Sequence, residues 1–519
     1  MKKVLTLIMA MAMVLGMGLT TFAKTPGADG IYGTSDDRGT ITVRGITSEN
    51  GLVVTAYPIV KAVYDKTNGS FTGYDPLYDA IDDIEDIDQP TLNSIISDID
   101  EGLGSYPMRI PTGGDGTVYT ADVPVGSYLV MITGAETKVY SPVVLSVSYT
   151  NTSGGNDLEE GSITVTEPSA WAKVSNVPTI DKNIIEGNTS VNGNSVNIGD
   201  SVSYEVIIDP IPYYGGTNPV LNVVDTLSAG LSYNNDLRVK VVGTSGSETP
   251  LALNTAYTLT PGTNTDGLNT LTVNFVVNRN YTLNDYVGSK VVISYSAEIT
   301  EDAVVNAGGN INDVVLNYTT DSKTTGNDET DGDKTYTYTF DIDGSATGTK
   351  DIITKVGEGE DEEALEGAVF ELYTDSTCTN KYKNDVFDGQ VTSNADGQLY
   401  ISGLEAGTYY LKEISAPSSY SVNTHVFKIE ITAEYNNDGT LKGWKVWIDD
   451  AEKATFTVDH TSGSPVVNEN ITGEEIQNTH LSSLPSTGGI GTTIFTVGGC
   501  IIMIAAAALF FMNRRKSEE

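Results

Sequence analysis

Cysteine is nearly absent from this chain. Its 519 residues include two, Cys378 and Cys500, and Cys500 lies inside a long apolar run. Cys378 is therefore alone outside that run, and no internal disulfide can join the rest of the protein. Any covalent staple must be of another kind. Basic residues are also scarce. Lys and Arg number 29 against 69 Asp and Glu, for a net charge of −40. That balance excludes nucleic acid and anionic lipid held through basic patches. The three histidines, His425, His460 and His480, show no metal-ligand spacing. No Ser/His/Asp arrangement is present, and no glycine-rich loop opens a helix after a strand. No turnover enzyme, cofactor or metal is expected. Long hydrophobic runs occur only at the two ends.

At the first end, Lys2 and Lys3 precede an apolar stretch from Val4 to about Leu19. Thr21-Phe22-Ala23 then offers a small-x-Ala cleavage site, so residues 1–23 read as a signal peptide. At the other end, Leu484-Pro485-Ser486-Thr487-Gly488 stands before an apolar run over 489–512, and Arg514, Arg515 and Lys516 follow in the tail 513–519. About twenty apolar residues cross a bilayer as a helix, and cationic flanks stay on the cytoplasmic side. The order pentapeptide, span, basic tail resembles the LPxTG cell-wall sorting signal of Gram-positive surface proteins. The resemblance implies sortase as a partner, cleavage between Thr487 and Gly488, transfer of the Thr487 carbonyl to an amine, and a cell-wall location. A simple tail anchor is the alternative.

Between the ends the pattern is all-β. Dense Asp, Gly, Asn and Thr with frequent Tyr and Val suit short strands joined by polar turns. Residues 24–38 read as a flexible acidic lead in which Asp29, Asp36 and Asp37 are either solvated or hold calcium. Strand alternation runs through ITVRGI and LVVTAYPIVKAVYD, then returns in VYTADVP, VGSYLVMITG and YSPVVLSVSY. From Leu77 to Leu103 the isoleucines recur at helical spacing, with Pro90 interrupting, which predicts one or two short helices inserted in the first domain, 39–172. The second domain, 173–322, carries regularly spaced strands and reads as an Ig-like sandwich. A linker is expected over 323–333, and a third β-sandwich over 334–475. Residues 476–488 read as a spacer ending in the sorting motif. The expected architecture is tandem β-sandwiches in a line, bracketed by a signal peptide and a transmembrane helix.

In the third domain IITKV, LEGAVFELY, GTYYLKEISAPSSY and PVVNEN resemble the CnaB-type domain of Gram-positive pilins and adhesins. The resemblance implies a spontaneous isopeptide bond between Lys355 and Asn468, assisted by Glu413 of the E-box. Ser419 departs from that pattern, since glycine is usual there. Strand parity agrees: Ile353 and Lys355 share a face, as do Tyr409, Leu411 and Glu413, and Val466 and Asn468 share one too. A Lys, a Glu and an Asn are thus expected to point into one apolar core. A buried lysine and acid can share a proton to become neutral amine and neutral acid. The amine is then a nucleophile, the acid polarises the amide, and proximity supplies much of the rate.

VPTIDKNI, NIGDSVSYEV, VVDTLSAGLSY and GNINDVVLNY resemble the middle domain of backbone pilins. Parity nominates Lys182 and Asn312 as the bonded pair with Asp225 as the acid. Asn317 is the second choice, although parity sets it on the opposite face. In the first domain the E-box position reads Ile132 or Thr133, so no bond is expected there. Polymerisation requires a lysine from the next subunit. The YPK-type motif of the family is missing, and Lys173 in ITVTEPSAWAKVSNVPTIDK stands at the corresponding place, with Lys61 in AYPIVK behind it. The resemblance thus implies a shaft pilin linked to neighbouring pilin subunits and to peptidoglycan, directly or through a basal subunit. A monomeric peptidoglycan-anchored adhesin is the alternative, and the sequence names no host ligand.

Overall fold

The structure is a computed structural model that describes residues 33–84, 87–103, 107–112, 116–151, 163–214, 219–278, 280–320, 328–342, 351–359, 363–462, 464–481 and 490–515. The signal peptide 1–23, Asp29 and the sorting pentapeptide Leu484, Pro485, Ser486, Thr487 and Gly488 lie outside the described residues. The chain divides into two compact units. One runs to Thr339 and includes Glu434–Lys442, and the other holds Phe340–Ala433 and Gly443 onward.

The first unit opens with Arg38–Arg44. This strand pairs antiparallel with Val118–Pro124 and parallel with Ser169–Trp171. Its alternation is strict: Ile41 and Val43 are fully buried, while the residues between them are not. A second sheet contains Phe71–Pro76, Val53–Tyr64, Gly126–Thr133 and Val143–Val147 in that order. Gly126–Thr133 is apolar on both faces because both are covered. Tyr128, Val130 and Ile132 enter the core between the sheets. Leu129 and Met131 face a second cluster with Ile95 and Ile96.

Those isoleucines belong to the inserted helix, Gln89–Asp100. Pro90 begins this helix rather than interrupting it. It sits in the first turn, where its missing N–H leaves no bond unmade. Asp88 caps the helix by accepting from the Thr91 N–H at 2.9 Å. Asp37 is not part of a solvated lead either. It is buried, and its Oδ2 accepts from the Gly33 N–H at 2.6 Å, the Thr34 N–H at 3.0 Å and the Tyr149 hydroxyl at 2.9 Å. Asp36 is exposed.

Still within this unit, two sheets make the middle sandwich, of seven and six strands, the seventh strand of the first being Leu231–Tyr233 beside Lys290–Ile299. One runs Thr189–Val191, Thr179–Glu186, Ser201–Asp209, Lys290–Ile299, Arg238–Val242, Glu248–Pro250. The facing one runs Gly193–Ser195, Asp328–Tyr338, Asn310–Thr319, Leu221–Leu227, Asn269–Asn274, Thr258–Thr263. Val206, Ile208, Val223, Leu271, Ile293, Val314 and Leu316 fill the space between. Residues 328–333, expected as linker, and the strand start expected in the third domain are one strand of this sheet. Their register runs from Asn310↔Thr337 to Thr319↔Asp328. A strand of Asp, Thr and Gly has little apolar content to mark it. It is held by its backbone ladder, with Thr335 and Thr337 as its buried face. Its aspartates do further work, because Asp331 and Asp333 accept from the backbone N–H of Ile180 (2.9 Å) and Lys182 (2.8 Å). Those donors lie on a strand stretch with no ladder partner on that side, and leaving them unpaired would cost free energy.

The second unit holds most of a sheet ordered Gln390–Thr392, Val369–Tyr373, Thr408–Ser415, Val426–Tyr435, Leu441–Ile448, Ala451–Asp459, Val466–Ile471. Phe370, Leu411, Ile429, Trp444 and Phe456 are buried, and Trp444 stacks on Phe456 with centroids 4.2 Å apart. A separate parallel pair joins Ile353–Gly357 to Glu474–Asn478. Residues 476–478 of that last strand were expected as part of the spacer. The chain then reaches a helix over Ile490–Arg515. Its segment Thr493–Arg514 is long and apolar enough to cross a membrane, with a mean hydropathy of 2.5.

The E-box turn explains the departure at position 419. Ser419 adopts φ +77° while its carbonyl accepts from the Leu481 N–H at 2.7 Å. A left-handed backbone costs an L-residue roughly 1–2 kcal/mol, part of which glycine returns as extra chain entropy lost on folding. Ser419→Gly is expected to stabilise this unit by about 0.5–1 kcal/mol, read as a higher thermal midpoint. An unchanged or lower midpoint would contradict the strain argument.

Candidate functional site

Two buried sites each combine a lysine, an acid and an asparagine. In the middle sandwich, Lys182 projects from Thr179–Glu186, where it pairs with Val206. Asp225 and Asn312 project from neighbouring strands of the facing sheet, offset by one same-face step because Asp225 pairs with Val314 and Leu227 with Asn312. Sandwich geometry thus brings a cation from one sheet against an acid and an amide from the other. The Lys182 side chain is fully buried and that of Asp225 is 5% exposed, and Asn312 is fully buried. Lys182 Nζ donates to Asp225 Oδ2 at 2.6 Å and to the Tyr295 hydroxyl at 2.9 Å. Burial pushes the lysine pKa down, and Asp225 opposes that push. The amine is therefore held nearer neutrality than any surface lysine.

Two buried polar atoms here make no hydrogen bond: Asp225 Oδ1 and Asn312 Oδ1. A carboxyl that takes the lysine proton gains a donor, and the amide oxygen is an unfilled acceptor. The pair is chemically complementary once the proton has moved. Asn317, the second choice, lies on the other face, where its amide donates to Asn222 Oδ1 at 2.9 Å.

In the second unit Lys355 is fully buried and Glu413 is 2% exposed. Tyr409 and Leu411 share the buried face of Glu413. Lys355 Nζ donates to the carbonyls of Ile476 (2.7 Å) and Val356 (3.2 Å). Burial lowers its pKa to about 8, against a smaller upward pull from Glu413. Gly397 makes room for this strand. Its carbonyl accepts from the Lys355 N–H at 2.7 Å, and a Cβ at this φ +76° position would lie 2.4 Å from the Lys355 carbonyl oxygen.

The asparagine at this site is Asn478, not Asn468. Asn468 is exposed on Val466–Ile471, an edge strand, opposite Thr457. Asn478 is 1% exposed and donates through Nδ2 to Glu413 Oε1 at 2.7 Å. Its strand lies parallel to the lysine strand, with Lys355 opposite Ile476 and Gly357 opposite Asn478. Sequence reasoning passed over it because EEIQN has one apolar residue. The signal was the parity of Ile476 with Asn478, both inward. Asn478 Oδ1 makes no hydrogen bond, as at Asn312.

Tyr295 was also missed. Its signal was an inward position between Ile293 and Ala297 on one strand. Ile132, at the E-box position of the first domain, is buried in the apolar core. Lys173 is exposed in the short joint between Ser169–Trp171 and Val174–Asn176. Its Nζ stands 5.0 Å from the Tyr213 ring centroid and 3.4 Å from the hydroxyl. Lys61 is paired with Asp75 at 3.3 Å.

Sequence-family comparison matches four segments in order along the chain. Residues 36–176 match the T6 antigen Ig-like domain, and 198–322 the Gram-positive pilin backbone subunit 2, Cna-B-like domain. Residues 350–445 match the SpaA prealbumin-like fold domain, and 476–519 the LPXTG cell wall anchor motif. The chain is 25% identical to the trypsin-resistant surface T6 protein of Streptococcus pyogenes serotype M6, across 98% of this chain and 99% of that one. Among solved structures it is similar to the T6 backbone pilin of serotype M6 Streptococcus pyogenes. That likeness has 20% identity and a TM-score of 0.51, covering 86% of this chain and all of the other. The full-length major pilin SpaD of Corynebacterium diphtheriae gives 19% identity and a TM-score of 0.42 over 86% of this chain and 98% of that one. These segments define a surface protein of tandem Ig-like and Cna-B-like domains with a cell-wall anchor. Taken together with the T6 relative, they support a Gram-positive backbone pilin, located at the cell wall.

Proposed function

We propose that this chain is the shaft subunit of a covalent pilus, self-stapled by isopeptide bonds between Lys182 and Asn312 and between Lys355 and Asn478. Asp225 and Glu413 are the proton-sharing acids. The observation that carries this reading is the repetition of one buried lysine–acid–asparagine set in two separately built β domains. Such sets are costly to keep for stability alone, since apolar residues of similar volume are often as stabilising. Each bond joins two strands far apart in sequence and replaces the disulfides the chain lacks. The chain is a substrate of its own chemistry and of sortase, with no turnover.

Between subunits, the Thr487 carbonyl is passed by sortase to a lysine of the next copy. Lys173 suits that role because it is exposed and, among the described residues, is paired with no carboxylate. The test is an immunoblot of muramidase-released wall material in boiling SDS. A high-mass ladder is expected, collapsing in Lys173→Ala. A ladder in both strains removes Lys173 from the proposal, and a single band in both favours the monomeric wall-anchored adhesin.

A further inference from the structure

We propose that Tyr295 is a catalytic residue of cross-link formation in the middle domain, its hydroxyl carrying a proton from the attacking Lys182 nitrogen to the departing Asn312 nitrogen. The inference rests on the Lys182–Asn312 reading above. Tyr295 Oη accepts from Lys182 Nζ at 2.9 Å and from Asn312 Nδ2 at 2.7 Å, and donates to Asp225 Oδ2 at 2.7 Å. One oxygen thus touches the nucleophile, the leaving group and the acid. The ring is held by stacking on Tyr204 at 5.3 Å and by the edge of Tyr233 at 6.0 Å. Burial and the Asp225 charge push its ionisation well above the ordinary phenol range. It therefore serves as a neutral hydroxyl that gives and takes together.

The steps balance without any outside reagent. Lys182 passes one proton to Asp225 and becomes a neutral amine. Its nitrogen attacks Asn312 Cγ, a C–N bond forms, and the carbonyl π pair moves to Oδ1. The attacking nitrogen now carries one proton too many, and Nδ2 carries one too few to leave. Tyr295 takes the first proton and gives its own to Nδ2. The C–Nδ2 bond breaks, the carbonyl re-forms, and ammonia departs. Asp225 then gives its proton to the ammonia. The sum is an ammonium and a carboxamide converted to a secondary amide and an ammonium ion.

The second site shows why a tyrosine is needed in only one of them. There Glu413 Oε1 accepts directly from Asn478 Nδ2, so the acid itself reaches the leaving group. Asp225 is one methylene shorter. Its Oδ2 is engaged by Lys182 and Tyr295, and its Oδ1 makes no hydrogen bond. The phenol spans the reach that the shorter acid lacks.

The test is cell-free synthesis of the full chain in detergent, sampled over time by peptide mass spectrometry at both lysine–asparagine junctions. Tyr295→Phe should slow the Lys182–Asn312 junction by about 100-fold or more, the usual scale of a lost general acid–base group. The Lys355–Asn478 junction should keep its rate and serves as internal control. Fluorotyrosines of graded acidity at position 295 should change the rate in step with phenol acidity, which a purely structural hydroxyl would not do. An unaltered rate in Tyr295→Phe, or no dependence on acidity across the fluorotyrosines, overturns the proposal. Absence of the Lys182–Asn312 junction in the wild-type chain overturns the bond itself, a separate result.

Discussion

Asp225→Ala is expected to cost the middle domain about 3–5 kcal/mol, the usual penalty for stripping the partner from a buried charge. It should also leave the protein one ammonia heavier. Lys182 has no water to turn to, since its side chain is fully buried. The other carboxylates whose charge acts on it are Asp313 and Asp333, and Asp333 Oδ2 already accepts from a backbone N–H at 2.8 Å. Lys182→Met should also abolish the bond, yet be less damaging, because it removes the charge and keeps the volume. Asp225→Asn fills the same space but cannot take a proton, so its mass should likewise retain the ammonia. Intact mass and thermal unfolding of the three variants read both effects. Loss of ammonia in Asp225→Ala would remove the acid from the mechanism. Equal destabilisation by Lys182→Met and Asp225→Ala would remove the buried-charge argument.

Asn478→Ala is expected to have the second large effect, and Asn468→Ala almost none. A cross-link between Lys355 and Asn478 closes a loop of more than a hundred residues. By the chain-entropy relation for cross-links, such a closure contributes on the order of 4–5 kcal/mol. The exposed Asn468 closes nothing. Titration gives an independent reading. In the unbonded Asn478→Ala protein, Lys355 keeps a free amine. Its folded pKa is about 8, below the ordinary 10.5, chiefly because of burial. Between those values the unfolded chain binds the proton that the folded one has released, so stability should rise with pH from about 8 to about 10.5. Below about 8 both states hold the proton, and the penalty is fully present. A wild-type chain with Lys355 locked in an amide has no such group to titrate and should lack this rise. Identical pH profiles for the two proteins would argue against a bond at Lys355.

Much of this was legible in the chain itself. The C-terminal apolar run with its flanking arginines and lysine marked a helix of membrane-spanning length, because a bilayer reads length and charge and little else. Period-2 alternation marked the strands and set Lys182, Asp225, Asn312, Lys355 and Glu413 on inward faces, since parity is a local property of the backbone. Two things were not local. The strand Asp328–Tyr338 has an unremarkable polar sequence, and only its ladder with Asn310–Thr319 makes it part of the middle sheet. The strand Glu474–Asn478 is likewise polar, and its parallel pairing with Ile353–Gly357 selects Asn478 over Asn468. Parity says which face a residue takes; it does not say which strand lies beside it. Which lysine meets which amide, and which hydroxyl stands between them at Tyr295, is settled by strand order and sheet facing, and those exist only once the chain has packed.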